Sequence, residues 1–329
     1  MTKVYITIDT EYSAGLFRRL GAGAQQENFD RSIRCKTAQG DVGIGYQMDV
    51  FDRYGLKAVF FVDPMPALVW GIRAITDIVQ PILARGHDVQ LHCHTEWLVF
   101  AADNNPLIGS AQGRLTGQNI KDFALDEQRK ILRTAADLLV AAGAPYPIAF
   151  RAGNYGANDD TLHALASLGI GYDSSHCPGI AMGDCAIGLP KSQYAPIRHC
   201  GVNEIPIGAI GAGGNATRHA QITALSAREM IAAIGYAQVQ HVPYFTLVSH
   251  SFELMSRDRS RINRIVKHRF EEFCRILAGL PGTETATYRD SPPQMDIAQI
   301  STPLLPHSSF RTAARLAEQA ASNALYGAR

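Results

Sequence analysis

The residues with the clearest capacity for chemistry occupy positions 91–97, which read Leu-His-Cys-His-Thr-Glu-Trp. His92, His94 and Glu96 carry the nitrogen and carboxylate ligands that zinc prefers. They follow the turn residue Gly86 and a short extended run, so they lie at the C-terminal end of a predicted strand, where α/β folds usually place their chemistry. The stretch is therefore predicted to be half of a metal site, and other strand ends must supply the rest.

The elements that position these residues alternate between strand-like and helix-like segments about seven times. The predicted strands are residues 4–8, 58–62, 88–92, 147–150, 170–173, 203–207 and 244–249. The predicted helices are residues 44–54, 72–84, 126–142, 158–168, 226–238 and 259–280. This alternation predicts an α/β fold with a mainly parallel sheet, closed or nearly closed into a barrel; an open doubly wound sheet is the alternative. Segments 13–42 and 98–123 lack periodicity and are predicted to be long loops at the active-site mouth.

Composition narrows the class of protein. The 329 residues, 46% of them hydrophobic, suffice for one large core, and the net charge of +1 gives no global field that would favour nucleic acid. No apolar run approaches the length of a membrane span, and the N-terminus shows no secretory signal, so a cytoplasmic protein is expected. The six cysteines form no CxxC pair and are expected to be reduced thiols.

The C-terminal part differs in composition from the rest. Residues 1–290 are predicted to form the catalytic barrel, whereas residues 291–329 are a Pro- and Ser-rich linker followed by an Ala-rich helix with a narrow apolar face. We expect that helix to serve as a packing or homo-oligomer contact.

Five polar clusters lie at predicted strand ends. They belong to residues 7–11, 92–97, 151–156, 173–175 and 247–250. In residue type and order, these clusters make the chain similar to the polysaccharide deacetylase superfamily (carbohydrate esterase family 4). The resemblance covers about residues 1–290 and implies a distorted (β/α) barrel that hydrolyses an amide with the help of a metal ion.

The resemblance also implies a role for each conserved type of side chain. Asp9 aligns with the base that takes a proton from water, and Arg151 aligns with the arginine that keeps this base ionised and oriented. His250 aligns with the general acid that protonates the leaving nitrogen. Asp173 is expected to set the charge and orientation of Arg151 or His250.

Three further residues are expected to face the substrate. The backbone N–H of Asn154 aligns with an oxyanion donor, and loss of such a donor raises a reaction barrier by roughly 3–4 kcal/mol. Tyr155 follows it in the same motif, and Trp97 is expected to form a wall of the pocket.

The sequence departs from the family's pattern at the metal ligands. Thr10 stands where the family has a ligand aspartate, and Glu11 is expected to replace it as the third ligand. The second motif usually has histidines at i and i+4, but here the later position is Glu96. An extended backbone would place His92 and His94 on one face, whereas a helical turn would pair His92 with Glu96 as the competing ligand. We expect the extended form.

Two histidines and a glutamate with an open water position are a known catalytic zinc arrangement. The expected cofactor is therefore zinc, with cobalt, nickel or manganese as alternatives. The expected function is removal of an N-acyl group, most simply N-acetyl, from an amino sugar or glycan precursor. The alternatives are an amidohydrolase acting on a small or cyclic amide, and an inactive carbohydrate-binding relative.

Overall fold

The computed structural model of the protein describes residues 1–101, 119–180, 183–294 and 302–327. Its strands are β1 (Thr2–Thr10), β2 (Lys36–Thr37), β3 (Gly40–Asp41), β4 (Ala58–Val62), β5 (Asp88–Cys93), β6 (Ala149–Ala152), β7 (Tyr172–Asp173), β8 (Ile197–His199), β9 (Val202–Glu204), β10 (Ala209–Gly213), β11 (Ala216–His219), β12 (Tyr244–His250) and β13 (Thr283–Thr285). Its α-helices are α1 (Ala14–Leu20), α2 (Gln25–Ser32), α3 (Ile44–Arg53), α4 (Ala67–Trp70), α5 (Arg73–Ala84), α6 (Leu125–Ala141), α7 (Asp159–Ser167), α8 (Ala227–Val239), α9 (Arg264–Ala278) and α10 (Ser309–Tyr326).

The main sheet runs in the order β12-β1-β4-β5-β6-β7-β9, and every neighbouring pair in this series is parallel. The antiparallel strand β8 follows on the edge of β9, and β13 pairs with the first residues of β1. Beyond β9, the amide of Gly208 donates to the carbonyl of Thr246 in β12 at 2.9 Å, which links the two ends of the curled sheet. The predicted distorted barrel of about seven parallel strands is confirmed.

The interior follows from the continuous apolar runs of the central strands. All five residues of β4 are buried, as expected of a parallel strand that is covered on both faces. The covering helices are amphipathic: α5 buries Ile75, Ile78, Val79 and Ile82 on one face. The strands therefore form a rigid frame whose C-terminal ends can hold side chains in fixed positions.

The segment 13–42 is not the irregular loop that the sequence predicted. It contains α1, α2 and the hairpin β2–β3, and Ser13 caps α1 by accepting a hydrogen bond from the amide of Leu16 at 3.2 Å. These helices are only seven and eight residues long, which is too short for a clear periodicity in the sequence. The other predicted loop, 98–123, lies mostly outside the described residues, and its flanks form 3₁₀ turns at Thr95–Val99 and Ile120–Asp122.

The helix α10 lies against α8 and α9. Arg315 forms a buried ion pair with Glu229 of α8 at 3.2 Å, and the Nε of Arg269 in α9 lies 2.8 Å from Glu318. The boundary at residue 290 and the oligomeric contact remain predictions. All six cysteines are free thiols. In the described ranges, no helix is both long and apolar enough to cross a bilayer.

Candidate active site

Strand register brings the predicted site residues to one edge of the barrel. Asp9 on β1 is the Cα partner of His250 on β12, and His92 on β5 is the partner of Arg151 on β6. Because these strands are parallel, their C-terminal ends meet at the same edge, and Glu11 follows directly from β1.

Three of these side chains form a compact group of metal-ligand atoms. The Oε2 of Glu11 lies 2.5 Å from the Nε2 of His94 and 3.2 Å from the Nε2 of His92. One ligand atom from each of the three residues lies within 4.8 Å of the others. The side chains are largely buried, with exposed fractions of 18% for Glu11, 3% for His92 and 11% for His94.

The surroundings of both histidines suit a metal site. The Nδ1 of His92 lies 2.7 Å from the carbonyl oxygen of Arg151, which can only accept, so Nδ1 carries the proton and the lone pair of Nε2 faces Glu11. The Nδ1 of His94 lies 3.2 Å from the Oε2 of Glu96, as in the carboxylate–histidine pairs that orient metal ligands. The chemistry of this donor set fits a zinc-type ion.

The local backbone explains why His94 and not Glu96 faces the cluster. The strand β5 ends at Cys93, and His94 is still extended (φ −104°, ψ 112°) before the 3₁₀ turn begins at Thr95. His94 therefore points toward Glu11, whereas Glu96 lies on the far side of the His94 ring. The choice of ligand remains a prediction.

The carboxylates around the two histidines favour a positive charge at the centre of the cluster. Burial alone would raise the pKa of Glu11, but the charge of His94 and hydrogen bonds from both histidines hold it well below its usual value. Burial would likewise lower the pKa of His94, and the carboxylates of Glu11, Glu96 and Asp63 instead raise it well above its usual value. A bound divalent cation would supply this positive charge.

Beside this cluster, Asp9 and Arg151 form a buried ion pair. The Nη1 of Arg151 lies 2.6 Å from the Oδ1 of Asp9, and both side chains are at most 4% exposed. Arg151 also donates to the carbonyl and hydroxyl of Ser174, each at 3.1 Å, and its guanidinium lies 4.4 Å from the ring centroid of Phe61. These contacts fix the arginine, and the arginine fixes one oxygen of Asp9.

The second oxygen of Asp9 faces His250. The Nε2 of His250 lies 3.9 Å from the Oδ2 of Asp9, and its Nδ1 lies 3.0 Å from the Oε1 of Glu253. Burial would lower the pKa of His250, but hydrogen bonding and charge from Glu253, with further charge from Asp9 and Glu11, raise it to about 9. The imidazole is therefore protonated at neutral pH.

Sequence reasoning missed Glu253 and Asp63. Asp63 follows β4 directly, so the rule that found Asp9, an acid at the end of an apolar strand, would also have found it. Burial raises the pKa of Asp63 to about 6, and its Oδ1 accepts from the amide of Met65 at 3.1 Å. Glu253 lies three residues after His250, beyond the end of its strand, and only the turn that follows β12 brings the two together.

The structure shows what surrounds Asp173 and Trp97. Asp173 accepts hydrogen bonds from the amide and hydroxyl of Ser175 at 2.9 and 2.8 Å. Burial raises the pKa of Asp173, and the charge of Arg151 acts in the opposite direction, so its expected role beside Arg151 stays a prediction. Trp97 does not form a pocket wall, since its side chain is completely buried in an aromatic cluster with Phe17 and other rings.

The motif that begins at Arg151 continues into a strained turn. Asn154 and Tyr155 have positive φ angles of 55° and 56°, within the 3₁₀ turn Gly153–Tyr155. Asn154 is exposed, and its side-chain amide donates to the Oδ1 of Asn119 at 3.2 Å. The hydroxyl of Tyr155 is buried without a hydrogen-bond partner among the described residues. The role of this turn toward the substrate stays a prediction.

Comparison with known proteins supports the fold. No protein-family model and no curated protein sequence matches the chain. Among solved structures, it resembles a putative polysaccharide deacetylase from Mycobacterium smegmatis with a TM-score of 0.51 and 15% identity, covering 91% of this chain and 95% of that one. A family 4 carbohydrate esterase from Streptomyces lividans in complex with acetate matches at a TM-score of 0.43 and 11% identity, over 93% and 98% of the two chains. The chain has the polysaccharide deacetylase fold.

Proposed function

We propose that the chain is a metal-dependent hydrolase that removes an N-acyl group, most simply N-acetyl, from an amino sugar or glycan precursor. The observation that carries this proposal is the placement of Asp9, which lies between the buried Arg151 and His250 at the edge that also holds Glu11, His92 and His94. An acid, a base and a set of metal ligands at one edge are what metal-assisted amide hydrolysis requires.

The metal ligands would be Glu11, His92 and His94. A zinc ion held there, or cobalt, nickel or manganese in its place, would supply a Lewis acid for the acyl carbonyl and lower the pKa of water to about 7. This chain's own residues then handle the protons.

Asp9 acts as the base. Its Oδ1 is held by Arg151 at 2.6 Å, so the carboxylate is oriented while Oδ2 takes the proton from the attacking water. The backbone N–H of Asn154 is proposed to stabilise the developing oxyanion.

His250 acts as the acid. Its Nε2 faces Asp9 and its Nδ1 is held by Glu253, and the raised pKa of about 9 keeps a proton available at neutral pH. That proton goes to the nitrogen of the leaving amine, which is a poor leaving group unless it is protonated.

The experiment that tests this function is Asp9→Asn, assayed on N-acetylglucosamine oligomers and on a panel of cyclic amides. We expect turnover of the acetylated sugar to fall by about 10²–10⁴-fold, because general-base catalysis is lost. Zinc content should remain unchanged, because Asp9 is not a ligand. The matched control is Asp77→Asn, which alters an exposed carboxylate on α5.

Three results would contradict the proposal. Full activity of Asp9→Asn, prepared free of wild type, would remove Asp9 as the base. Turnover of cyclic amides alone would favour the amidohydrolase alternative. A catalytic site is expected to hold one zinc ion per chain. Less than about half an equivalent of zinc per chain, with no activity on adding Zn²⁺ or Co²⁺, would therefore favour an inactive carbohydrate-binding protein.

A further inference from the structure

The turn after β12 carries an arginine whose charge is not paired. Arg259 lies over the ring of Phe252 at 3.7 Å from its centroid, and its Nη1 donates to the hydroxyl of Ser32 at 3.1 Å. No carboxylate of the described chain forms an ion pair with it, although the side chain is only partly exposed. A guanidinium that loses water without gaining an anion is unfavourable.

Arg259 lies close to the proposed active site. The ring of Phe252, on which it stacks, lies 5.2 Å from the ring of His250 and is tilted by 34° to it. Arg259 is therefore one aromatic ring away from the proposed acid. Glu11, a proposed metal ligand, is also close enough for its charge to act on Arg259.

Two more arginines lie on the neighbouring helices α1 and α2. Arg31 directly precedes Ser32, to which Arg259 donates. Arg19 directly follows Arg18, whose Nη2 lies 3.7 Å from the Oε1 of Glu96 beside the proposed ligands. Burial, together with the positive charges of Arg31 and Arg19, lowers the pKa of Arg259. Arg31 pairs only with the exposed Glu27, at 3.2 Å, and Arg19 is exposed without an ion pair in the described ranges. We call Arg19, Arg31 and Arg259 the basic rim. Like charges gathered at a site mouth raise the local concentration of anions.

We propose that the basic rim binds an anionic group, a phosphate or a carboxylate, that the substrate carries near its acylated nitrogen. The inference deepens the proposed function and rests on it: the substrate would be an anionic N-acyl sugar and not a neutral polymer. Guanidinium groups match the paired oxygens of phosphate and carboxylate.

The kinetic test compares N-acetylglucosamine 1-phosphate, N-acetylmuramic acid and neutral N-acetylglucosamine as substrates. We expect the wild type to have a kcat/KM at least about tenfold higher for one of the anionic compounds, because hydrogen bonds to charged groups are stronger than those to neutral groups. The compound that shows the preference identifies phosphate or carboxylate as the group bound. Arg19→Gln and Arg259→Gln should each reduce this preference mainly through KM.

The matched control is Arg34→Gln, because Arg34 belongs to the same segment but already pairs with Asp41 at 2.5 Å. It should leave the preference unchanged. Since Arg259 has a φ of 55° and packs on Phe252, its variant could unfold, whereas Arg19 is exposed on α1 and its variant should keep the wild-type melting temperature.

A binding experiment separates this inference from the proposed function. Calorimetric titration of the zinc-loaded protein with glucosamine 1-phosphate and with glucosamine uses compounds that have no acyl group to lose. Tighter binding of the phosphate, reduced in Arg19→Gln, supports the basic rim even if no deacetylation is found. Equal binding of both compounds, or deacetylation with no preference for either anionic sugar, overturns it while leaving the deacetylase proposal intact.

Discussion

Asp9 divides its two oxygens between two partners. Oδ1 is held by Arg151 at 2.6 Å, and Oδ2 lies 3.9 Å from the Nε2 of His250. The first contact is short, buried and charge-assisted, so it fixes the carboxylate, whereas the second is loose enough to leave Oδ2 available to a water molecule. One side chain thus has an oxygen for orientation and an oxygen for proton transfer.

Glu253→Gln should alter the pH profile of the proposed hydrolysis. The Glu253 carboxylate helps to raise the pKa of His250 to about 9, and the variant removes this charge while keeping the shape. The pKa of His250 then falls. Because the acid must be protonated, the alkaline decline of kcat should begin at a lower pH than in the wild type. The measurement is kcat from pH 6 to 10, alongside NMR titration of the imidazole.

The control for this prediction is Glu284→Gln, which changes an exposed carboxylate on β13. An alkaline limb that stays in place in Glu253→Gln would show that His250 does not supply the proton.

His94→Gln and Glu96→Gln should separate the two candidate ligands. Loss of the direct ligand His94 should weaken Zn²⁺ affinity by more than about 100-fold, whereas Glu96, which orients His94 through Nδ1, should matter by about 10–100-fold. Affinity is measured by competition with a chromophoric chelator. His268→Gln on the exposed face of α9 is the control, and a larger effect at Glu96 than at His94 would reverse the assignment.

At the scale of single residues, the sequence indicates the side chains that end strands but not those that support them. A position at or near the end of an apolar run can be recognised from the sequence, as it was for Asp9, His92, Arg151 and His250. Ser174 reaches Arg151 only because β7 lies beside β6, and such neighbours depend on sheet order that no local pattern encodes.

Among the elements, the turn after β6 packs directly against the proposed metal site. A methyl group at Gly153 would lie 2.7 Å from the Nδ1 of His94, so the glycine allows the turn to pass directly behind that ring. The proximity is a property of two segments, β5 and the Gly153–Tyr155 turn, and not of either alone.

Gly153→Ala should therefore displace His94. A shift of about 1 Å in a reacting group can reduce turnover by about 10²-fold, and we expect a loss of that order together with weaker Zn²⁺ binding. The control is Gly171→Ala, where the added methyl group would meet no atom within 4 Å. Wild-type kcat and zinc affinity in Gly153→Ala would show that the turn does not position the ligand.

The regular elements were predictable to the extent that they were long. The apolar run of β4 and the amphipathic α6 were readable from the sequence, whereas α1 and α2 were too short to show a period. The sequence analysis also did not predict the hairpin of β10 and β11, because these strands are only five and four residues long and glycine weakens a strand pattern. The basic rim comes partly from α1 and α2, so missing them also hid that feature.

For the molecule as a whole, a buried ion pair holds α10 against the barrel. Arg315 and Glu229 are 4% and 2% exposed in their ion pair, and Asn263 of the loop before α9 donates to Ser322 at 2.9 Å. Part of the segment after residue 290 is therefore integral to the packed structure, whatever further contact its exposed face makes.

Arg315→Ala should destabilise the whole protein. Removing one partner leaves Glu229 buried without its counter-charge, which costs about 3–5 kcal/mol of unfolding free energy. Urea unfolding followed by circular dichroism measures this loss. Arg311 on the same helix is half-buried and donates to the carbonyl of Pro306 at 2.7 Å, so Arg311→Ala loses one ordinary hydrogen bond and should cost only about 0.5–1.5 kcal/mol. Equal stability of the two variants would show that α10 detaches without consequence.

The pairing of β1 with β12 determines when the site can be completed during synthesis and folding. The proposed base, its arginine and the metal ligands all lie within the first 151 residues, but the acid His250 is on a strand made much later in synthesis. Contacts between such distant parts of a chain close slowly, because a large loop must be ordered first. If the proposed function holds, the proposed metal ligands of a nascent chain are in place well before its proton donor, and activity begins only when β12 pairs with β1.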